Sequence, residues 1–175
     1  MSGISIHSLT SDQLGAHAAA LAGIMTETVN GGAAIGYVQP FSLDDGHAFF
    51  ATSVFPEVRA GNRRLLVAKL DGETVGTVQL IVALPPNQPH RCEVAKMMVA
   101  PSARRRGVGR ALLQALDAEA RAAGKSLITL DTKTGDNAEP LYRAAGFKVA
   151  GVIPGFALDP DGAGLHATTY MYKVV

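Results

Sequence analysis

A single cysteine, Cys92, among 175 residues leaves no partner for an internal disulfide and argues against a structural zinc site. Nor does the chain carry a sustained field of either sign. Its 16 Lys and Arg against 15 Asp and Glu give a formal charge of +1. That balance argues against an overall potential that recruits nucleic acid, which is not an expected partner. No apolar run approaches the ~20 residues needed to span a bilayer, so no membrane association is expected. The N-terminus lacks the basic segment and apolar core of a signal peptide, which makes the cytoplasm the default location. Repeats, low-complexity tracts and linker-like stretches are missing too, so one domain over residues 1–175 is expected. What is abundant is apolar surface, 47% of residues, enough at this length for a sizeable core.

The elements can be read from periodicity and punctuation. Ile4 to Leu9 alternates as a strand, and Ser11 or Asp12 is placed to cap a helix running to about Ile24. Asn30-Gly31-Gly32 interrupts the helix-like pattern of Glu27 to Tyr37. Leu43 to Val58 reads as a second helix with Asp44 and Asp45 in its first turn. Leu65–Leu70 and Thr74–Val82 flank Asp71-Gly72, a strong hairpin signal. Residues 84–90, with three prolines, form a loop, and Arg91–Val99 is a mostly apolar, hence central, strand. A helix from about Gly107 to Ala123 is closed by Gly124, and Leu127–Asp131 is the next strand. Ala138–Ala145 is a helix stopped by Gly146. Strands at Phe147–Ile153 and Thr168–Val174 are joined by a long loop over 154–167. The strand–helix–strand unit from 94 to 131 predicts a parallel pair inside a mixed α/β sheet.

The segment Met97-Met98-Val99-Ala-Pro-Ser-Ala-Arg104-Arg105-Arg106-Gly107-Val108-Gly109-Arg110 is the most informative. A strand runs into a basic, glycine-bearing turn that opens a helix. The first-turn N–H groups of a helix have no internal acceptors, and the helix dipole places partial positive charge there. Glycines let an anion approach the backbone, and the arginines add charge, so the device suits a pyrophosphate. Alone, the same residues also read as an exposed helix start with solvated arginines.

Arg104-x-x-Gly107-x-Gly109 after a strand, followed by Leu141-Tyr142-x-x-x-Gly146-Phe147, resembles the GNAT superfamily of acetyl-CoA-dependent N-acetyltransferases. The fold this implies is α/β (α+β): a mixed, mostly antiparallel central sheet with a splayed parallel strand pair, flanked by helices. A finer likeness is carried by Glu27-Thr-Val-Asn30-Gly-Gly32, Glu93-Val-Ala-Lys96-Met-Met-Val99, Leu130-Asp131-Thr132 and Pro160-Asp-Gly162 with Leu165-His166. These runs are similar to the tabtoxin-resistance type of acetyltransferase, which acetylates the amino group of a β-lactam amino-acid toxin. The likeness implies a small amino-acid-like amine as substrate, acetyl-CoA as co-substrate, and the homodimer that the family often forms. Two other functions stay open: acetylation of a peptide or protein amine, and non-catalytic binding of an acyl-CoA.

The resemblance also implies roles. Arg104, Arg105, Arg106, Gly107, Val108, Gly109 and Arg110 would hold the pyrophosphate, and the backbone of Met97, Met98 and Val99 would pair with the cofactor arm, as a peptide adds to a sheet. The amide near Met98 would then face the thioester oxygen. Where many family members have an Asn seven residues before the motif tyrosine, this chain has Gly135, and the nearest Asn is Asn137. Glu93 reads either as a general base acting through water or as a strand-end carboxylate paired with Arg91. Asp131 reads either as a partner for the substrate ammonium, sharing the base role, or as a cap for residues 133–136. Lys96 falls on the face opposite Glu93 if the strand is regular. Tyr142 is the candidate general acid for the leaving thiolate, or else a half-buried helix tyrosine. Segment 27–37 and the 154–167 loop would wall the substrate pocket, with Asn30, Tyr37, Phe41, Phe156, His166 and Tyr170 as candidate contacts. No metal site is expected.

Overall fold

A computed structural model of the chain describes residues 3–175. The strands are β1 (Ile4–Ser8), β2 (Arg63–Leu70), β3 (Glu73–Ile81), β4 (Arg91–Val99), β5 (Leu127–Lys133), β6 (Lys148–Leu158) and β7 (Leu165–Val174). They form a 7-stranded sheet in the order β1-β2-β3-β4-β5-β7-β6. The helices are α1 (Leu14–Asn30), α2 (Leu43–Phe49), α3 (Phe55–Arg59), α4 (Val108–Ala122) and α5 (Ala138–Ala144). Neighbouring strands are antiparallel except β4 and β5. The parallel β4–β5 pair is the one that the strand–helix–strand pattern predicted, and the mostly antiparallel remainder is what the family resemblance implied.

Each face of the sheet has its own core. Against α4 and α5 pack Leu66, Ala68, Val78, Leu80, Cys92, Val94, Ile128, Leu130 and Met171, meeting Leu112, Leu116 and Ala120 of α4. Against α1–α3 pack Leu65, Val67 and Met98, meeting Leu14, Leu21, Met25, Phe50 and Phe55. The α4 residues recur at the spacing of one helical face. The β5–β7 part of the second face is less covered: Tyr170 and Tyr172 lie exposed there.

Local chemistry explains the boundaries. Asp71 (φ 53°) and Gly72 (φ 90°) both adopt positive φ, the two-residue turn whose twist matches a hairpin. α2 opens with a reciprocal cap in which Ser42 and Asp45 each accept from the other's backbone N–H. α4 and α5 both end in the same left-handed glycine device. Lys125 N–H donates to the Ala120 carbonyl and Gly124 N–H to Arg121; Phe147 N–H donates to Tyr142 and Gly146 N–H to Arg143. In α5 the two hydrophobic residues flanking the stop are Tyr142 and Phe147, whose rings meet edge to face at 5.8 Å. The Leu-Tyr-x-x-x-Gly-Phe motif is therefore a helix terminator that fixes its own tyrosine.

Three expectations need correction. α1 runs to Asn30, past Ile24, and neither Ser11 nor Asp12 caps it; Gln13 holds the cap position without a side-chain bond. The helix expected over 43–58 is broken by a π-helical turn at Phe50–Val54 before α3. Pro56, in the first turn of α3, has no N–H to continue the ladder and its ring crowds the preceding turn. The 154–167 loop is mostly strand: β6 runs to Leu158 and β7 starts at Leu165. Pro154 and Gly155 sit where the register shifts between Ile153 and Ala157, on an edge strand that tolerates a missing donor.

Two glycines make opposite predictions. Gly146 (φ +93°) occupies a conformation costly for any L side chain, whereas Gly23 lies inside α1 with nothing within 4 Å of an added Cβ. Gly146→Ala is expected to lower unfolding free energy by ~1–2 kcal/mol, and Gly23→Ala to raise it by ~0.5–1 kcal/mol. Urea titrations with unchanged m-values check both.

Candidate active site

β4 and β5 pair only at Arg91↔Leu127, Cys92↔Ile128 and Glu93↔Thr129. β4 nevertheless continues to Val99 on β3, and β5 to Lys133 on β7. Past Glu93 the two facing edges separate, leaving the Met97–Val99 segment without a strand partner on that side. The Val99 carbonyl takes a 3.3 Å bond from Arg104 Nε. β4 is also distorted on its β3 side. The register jumps from Gln79↔Ala95 to Thr77↔Met98, so Lys96 and Met97 together oppose Val78. Lys96 has φ 49°. A bulge of this kind bends and twists its strand, and it swaps the faces: Cys92 and Val94 lie in the α4-side core, Met98 in the α1-side core.

The helix start lies at the same open end. Arg105 (φ 60°) and Gly107 (φ 88°) curl the chain into α4. The first backbone bond of the helix is Ala111 N–H to the Gly107 carbonyl, and no side chain caps it. Among the described residues, the N–H groups of Arg105, Arg106, Gly107, Val108, Gly109 and Arg110 have no backbone acceptor. Consecutive free donors at a helix N-terminus make an anion site. Arg104, Arg105, Arg106 and Arg110 are exposed around it, and Arg106 approaches Asp71 at 3.8 Å. The two glycines differ in purpose. Gly107 supplies a left-handed turn, whereas a Cβ on Gly109 would sit 2.9 Å from Leu141 Cδ2, so its bareness lets α5 pack against α4. Gly76 does the same for β3, where a Cβ would lie 3.0 Å from Val108 Cγ1 and 3.2 Å from the Met98 carbonyl. Nothing in the sequence alone marked Gly76. Val108 and Met98 are core side chains.

Tyr142 is 6% exposed. Burial foremost, then the charges of Asp131 and Asp136, push its phenol far above the ordinary tyrosine value. It therefore stays protonated throughout the neutral range, as a proton donor must.

On the α1-side face of the sheet, a cavity of about 280 Å³ is lined by Gln88, Arg91, Glu93, Thr129, Leu130, Asp131 and Tyr170. Register explains the set: Glu93 lies opposite Thr129, and Asp131 opposite Tyr170, so the side chains share one face. Glu93 Oε2 pairs with Arg91 Nη1 at 3.2 Å, and Arg91 also bonds Gln88 and Thr129. Exposed on both sides, the Arg91–Glu93 pair contributes ~0–1 kcal/mol to stability, and its consequence is orientation. Asp131 is exposed and accepts from Thr168 Oγ1 at 3.2 Å. It does not cap residues 133–136; there Glu139 takes the Gly135 N–H and Asp136 the Asn137 N–H. Lys96 is the main correction. The bulge turns it toward Tyr37, with Nζ 5.7 Å from the ring centroid, and not away from the acidic face.

The other predicted contacts fall elsewhere. Asn30 clamps the Phe41 backbone through both ends of its amide and borders a second cavity of about 370 Å³ with Gly31, Gly32, Gln39, Lys133 and Asp159–Asp161. Gln39 donates from Nε2 to the Val29 and Asn30 carbonyls, and its N–H reaches the Pro160 carbonyl at 2.7 Å. His166 and Lys133 both hold Asp159 Oδ1. Phe156 is exposed and meets Tyr170 edge to face. Tyr37 packs on Phe41 and Phe49. Asn137 is exposed at the start of α5. Tyr170, an expected pocket residue, does line the first cavity, whereas Gln88 and Thr129 join it through loop and strand placement for which a single sequence carries no signal.

Residues 36–147 match the model of the Acetyltransferase (GNAT) family. An N-acetyltransferase encoded in the hisH–hisA intergenic region of Azospirillum brasilense is 32% identical over 117 residues, 65% of this chain and 67% of its own length. The IAA acetyltransferase of the same organism is 36% identical over 98 residues, and the chain spans only 62% of it. Among solved structures, the ribosomal-protein-alanine N-acetyltransferase of Brucella melitensis superposes with TM-score 0.78 at 25% identity, covering 98% of this chain and 99% of that one. The yncA protein of Salmonella typhimurium, solved with its cofactor acetyl-CoA, gives TM-score 0.80 at 22% identity, covering 99% and 94%.

Cys92, fully buried, has its thiol pushed up to about 11 by burial. The native protein is expected to leave 5,5′-dithiobis(2-nitrobenzoate) unreacted at pH 8, with one thiol appearing only on unfolding.

Proposed function

The chain belongs to the acetyltransferase (GNAT) family, and on that premise we propose that it moves the acetyl group of acetyl-CoA directly to the primary amine of a small amino-acid-like acceptor. The observation that carries the reading is the coincidence, at one end of the sheet, of unpaired N–H groups from Arg105 to Arg110 with the gap between β4 and β5. The donor row fits a diphosphate: adjacent N–H groups at a helix start, unblocked by any cap, ringed by four arginines. The gap fits an amide-bearing arm laid along Met97–Val99, with the Arg104 bond to Val99 giving way.

The chain's residues then divide the chemistry. A backbone amide near Met98 stabilises charge developing on the thioester oxygen. Glu93, held by Arg91, takes the amine proton through water, because an amine of pKa ~8–10 is largely protonated at neutral pH. Asp131 attracts the incoming ammonium. Tyr142 donates its proton to the departing thiolate. A cavity of about 280 Å³ suits a small acceptor better than a folded protein surface. The likeness to tabtoxin-resistance acetyltransferases supports an amino-acid antimetabolite as acceptor and a detoxifying role. The apolar residues exposed on the β6–β7 hairpin, Val152, Ile153, Leu158 and Leu165 among them, support a homodimer built there.

Tyr142→Phe is expected to lower kcat by ~10- to 10⁴-fold with acetyl-CoA affinity nearly unchanged. Undiminished turnover removes Tyr142 from the mechanism. Gly107→Glu, which strains a left-handed position and adds an anion beside the donor row, is expected to weaken acetyl-CoA binding at least ~10-fold by calorimetry; equal affinity assigns the row to solvent.

A further inference from the structure

On the α1-side face two cations, Arg63 and Lys96, stand without a close ion-pair partner among the described residues, although the Glu57 charge acts on Arg63. Leu65 and Val67 of β2 lie in the core beneath α1–α3, so Arg63, two residues before Leu65, projects to that same face. Gln79 of β3 stands opposite Leu65 and shares the face. Arg63 Nη1 donates to Gln79 Oε1, which fixes the direction of the amide. Arg63 Nε and Gln79 Nε2 are buried and have no acceptor, the only such side-chain atoms among the described residues. Buried donors are nearly always paired, so two orphans in one contact call for a ligand. Beside them stands Lys96, delivered to this face by the bulge that follows Ala95, the partner of Gln79. Its ammonium has the Tyr37 ring for company and no carboxylate within ion-pair distance; nor does Arg63. Burial depresses the Lys96 pKa, Asp131 pulls it back and Arg63 lowers it, so Lys96 lies within electrostatic reach of both.

The arrangement is bipolar. Glu93 and Asp131 are acidic on β4 and β5; Lys96 and Arg63 are basic on β4 and β2. A free amino acid carries the complementary pair of charges on adjacent atoms. We propose that Lys96 and the Arg63–Gln79 pair bind the carboxylate of a free amino-acid acceptor, while its amino group lies toward Glu93 and Asp131. The inference rests on the acetyl-transfer reading for the amine end and adds the specificity of the acid end. Gln79 is fully buried, so a carboxylate reaches this contact only as the side chains over it move aside; it then gives both orphaned donors an acceptor, and a guanidinium and an ammonium together favour an anion over a neutral amide.

Two measurements test it. The first follows thiol release from acetyl-CoA with the twenty free amino acids, the carboxamide of each, and the corresponding decarboxylated amines. The second titrates the N-acetyl derivatives of the same acids and carboxamides into the protein–CoA complex by calorimetry, which reads the acid end without turnover. Expected are a kcat/KM preference for acid over carboxamide and a matching affinity ratio, each roughly 10- to 100-fold. Lys96→Met and Arg63→Met, each checked for an intact melting transition, collapse both ratios toward unity while the KM for acetyl-CoA stays put. Equal handling of acid and carboxamide by the wild type overturns the proposal, as does binding of neither N-acetyl derivative or a preference that survives both substitutions. In those cases the orphaned donors belong to internal water. Loss of acetyl-CoA binding itself in the wild type instead sinks the acetyl-transfer reading, a result the calorimeter reports separately.

Discussion

The shortness of the β4–β5 ladder governs the site. Three paired positions are enough to hold the strands side by side, and everything past them is left open. Neither strand is destabilised by the parting, because β3 and β7 continue to satisfy their outer edges. A parallel sheet normally hides its backbone groups from ligands. Here they are exposed at the centre of the sheet and not at its rim, with a packed core above and another below. That combination gives an extended ligand both a hydrogen-bonding edge and an environment poor in water.

The opening also lets two otherwise separate chemistries meet. Tyr142 belongs to the core under α4 and α5, whereas Glu93, Asp131 and Lys96 face the opposite side. Yet the Asp131 charge is felt by both Tyr142 and Lys96. Under the proposed mechanism, a reacting group held in the gap would have Tyr142 on one side and Glu93 and Asp131 on the other. The polypeptide achieves this without a long catalytic loop; the groups sit on strands and on a helix whose end is fixed by its own terminator.

Much of this was legible in the chain itself, and the boundary has physical reasons. The Arg104–Arg110 turn and the Tyr142–Phe147 terminator are local devices, with their whole geometry written in a few consecutive residues. The β4–α4–β5 unit was equally plain from its periodicity. The cavity was legible only in part: Tyr170 was an expected wall residue, but Gln88 and Thr129 come beside it through the pairing of distant strands. The bulge was hidden for a different reason. Its left-handed residue is Lys96, and only glycine or asparagine would have advertised that conformation. The break at Pro56 was readable, since proline cannot extend a helix, but the apolar spacing across it was the louder signal. Pro154 and Gly155 misled in the other direction: both suggest a loop, and an edge strand accommodates both.

Gln39 has a wider consequence. Its side chain closes the end of α1 while its backbone is tied to Pro160 in the turn between β6 and β7. The segment after α1 and the distal hairpin are thereby yoked, so neither can swing outward without dragging the other. A displacement of the turn at Pro160 is therefore opposed by contacts made at the end of α1, far earlier in the chain.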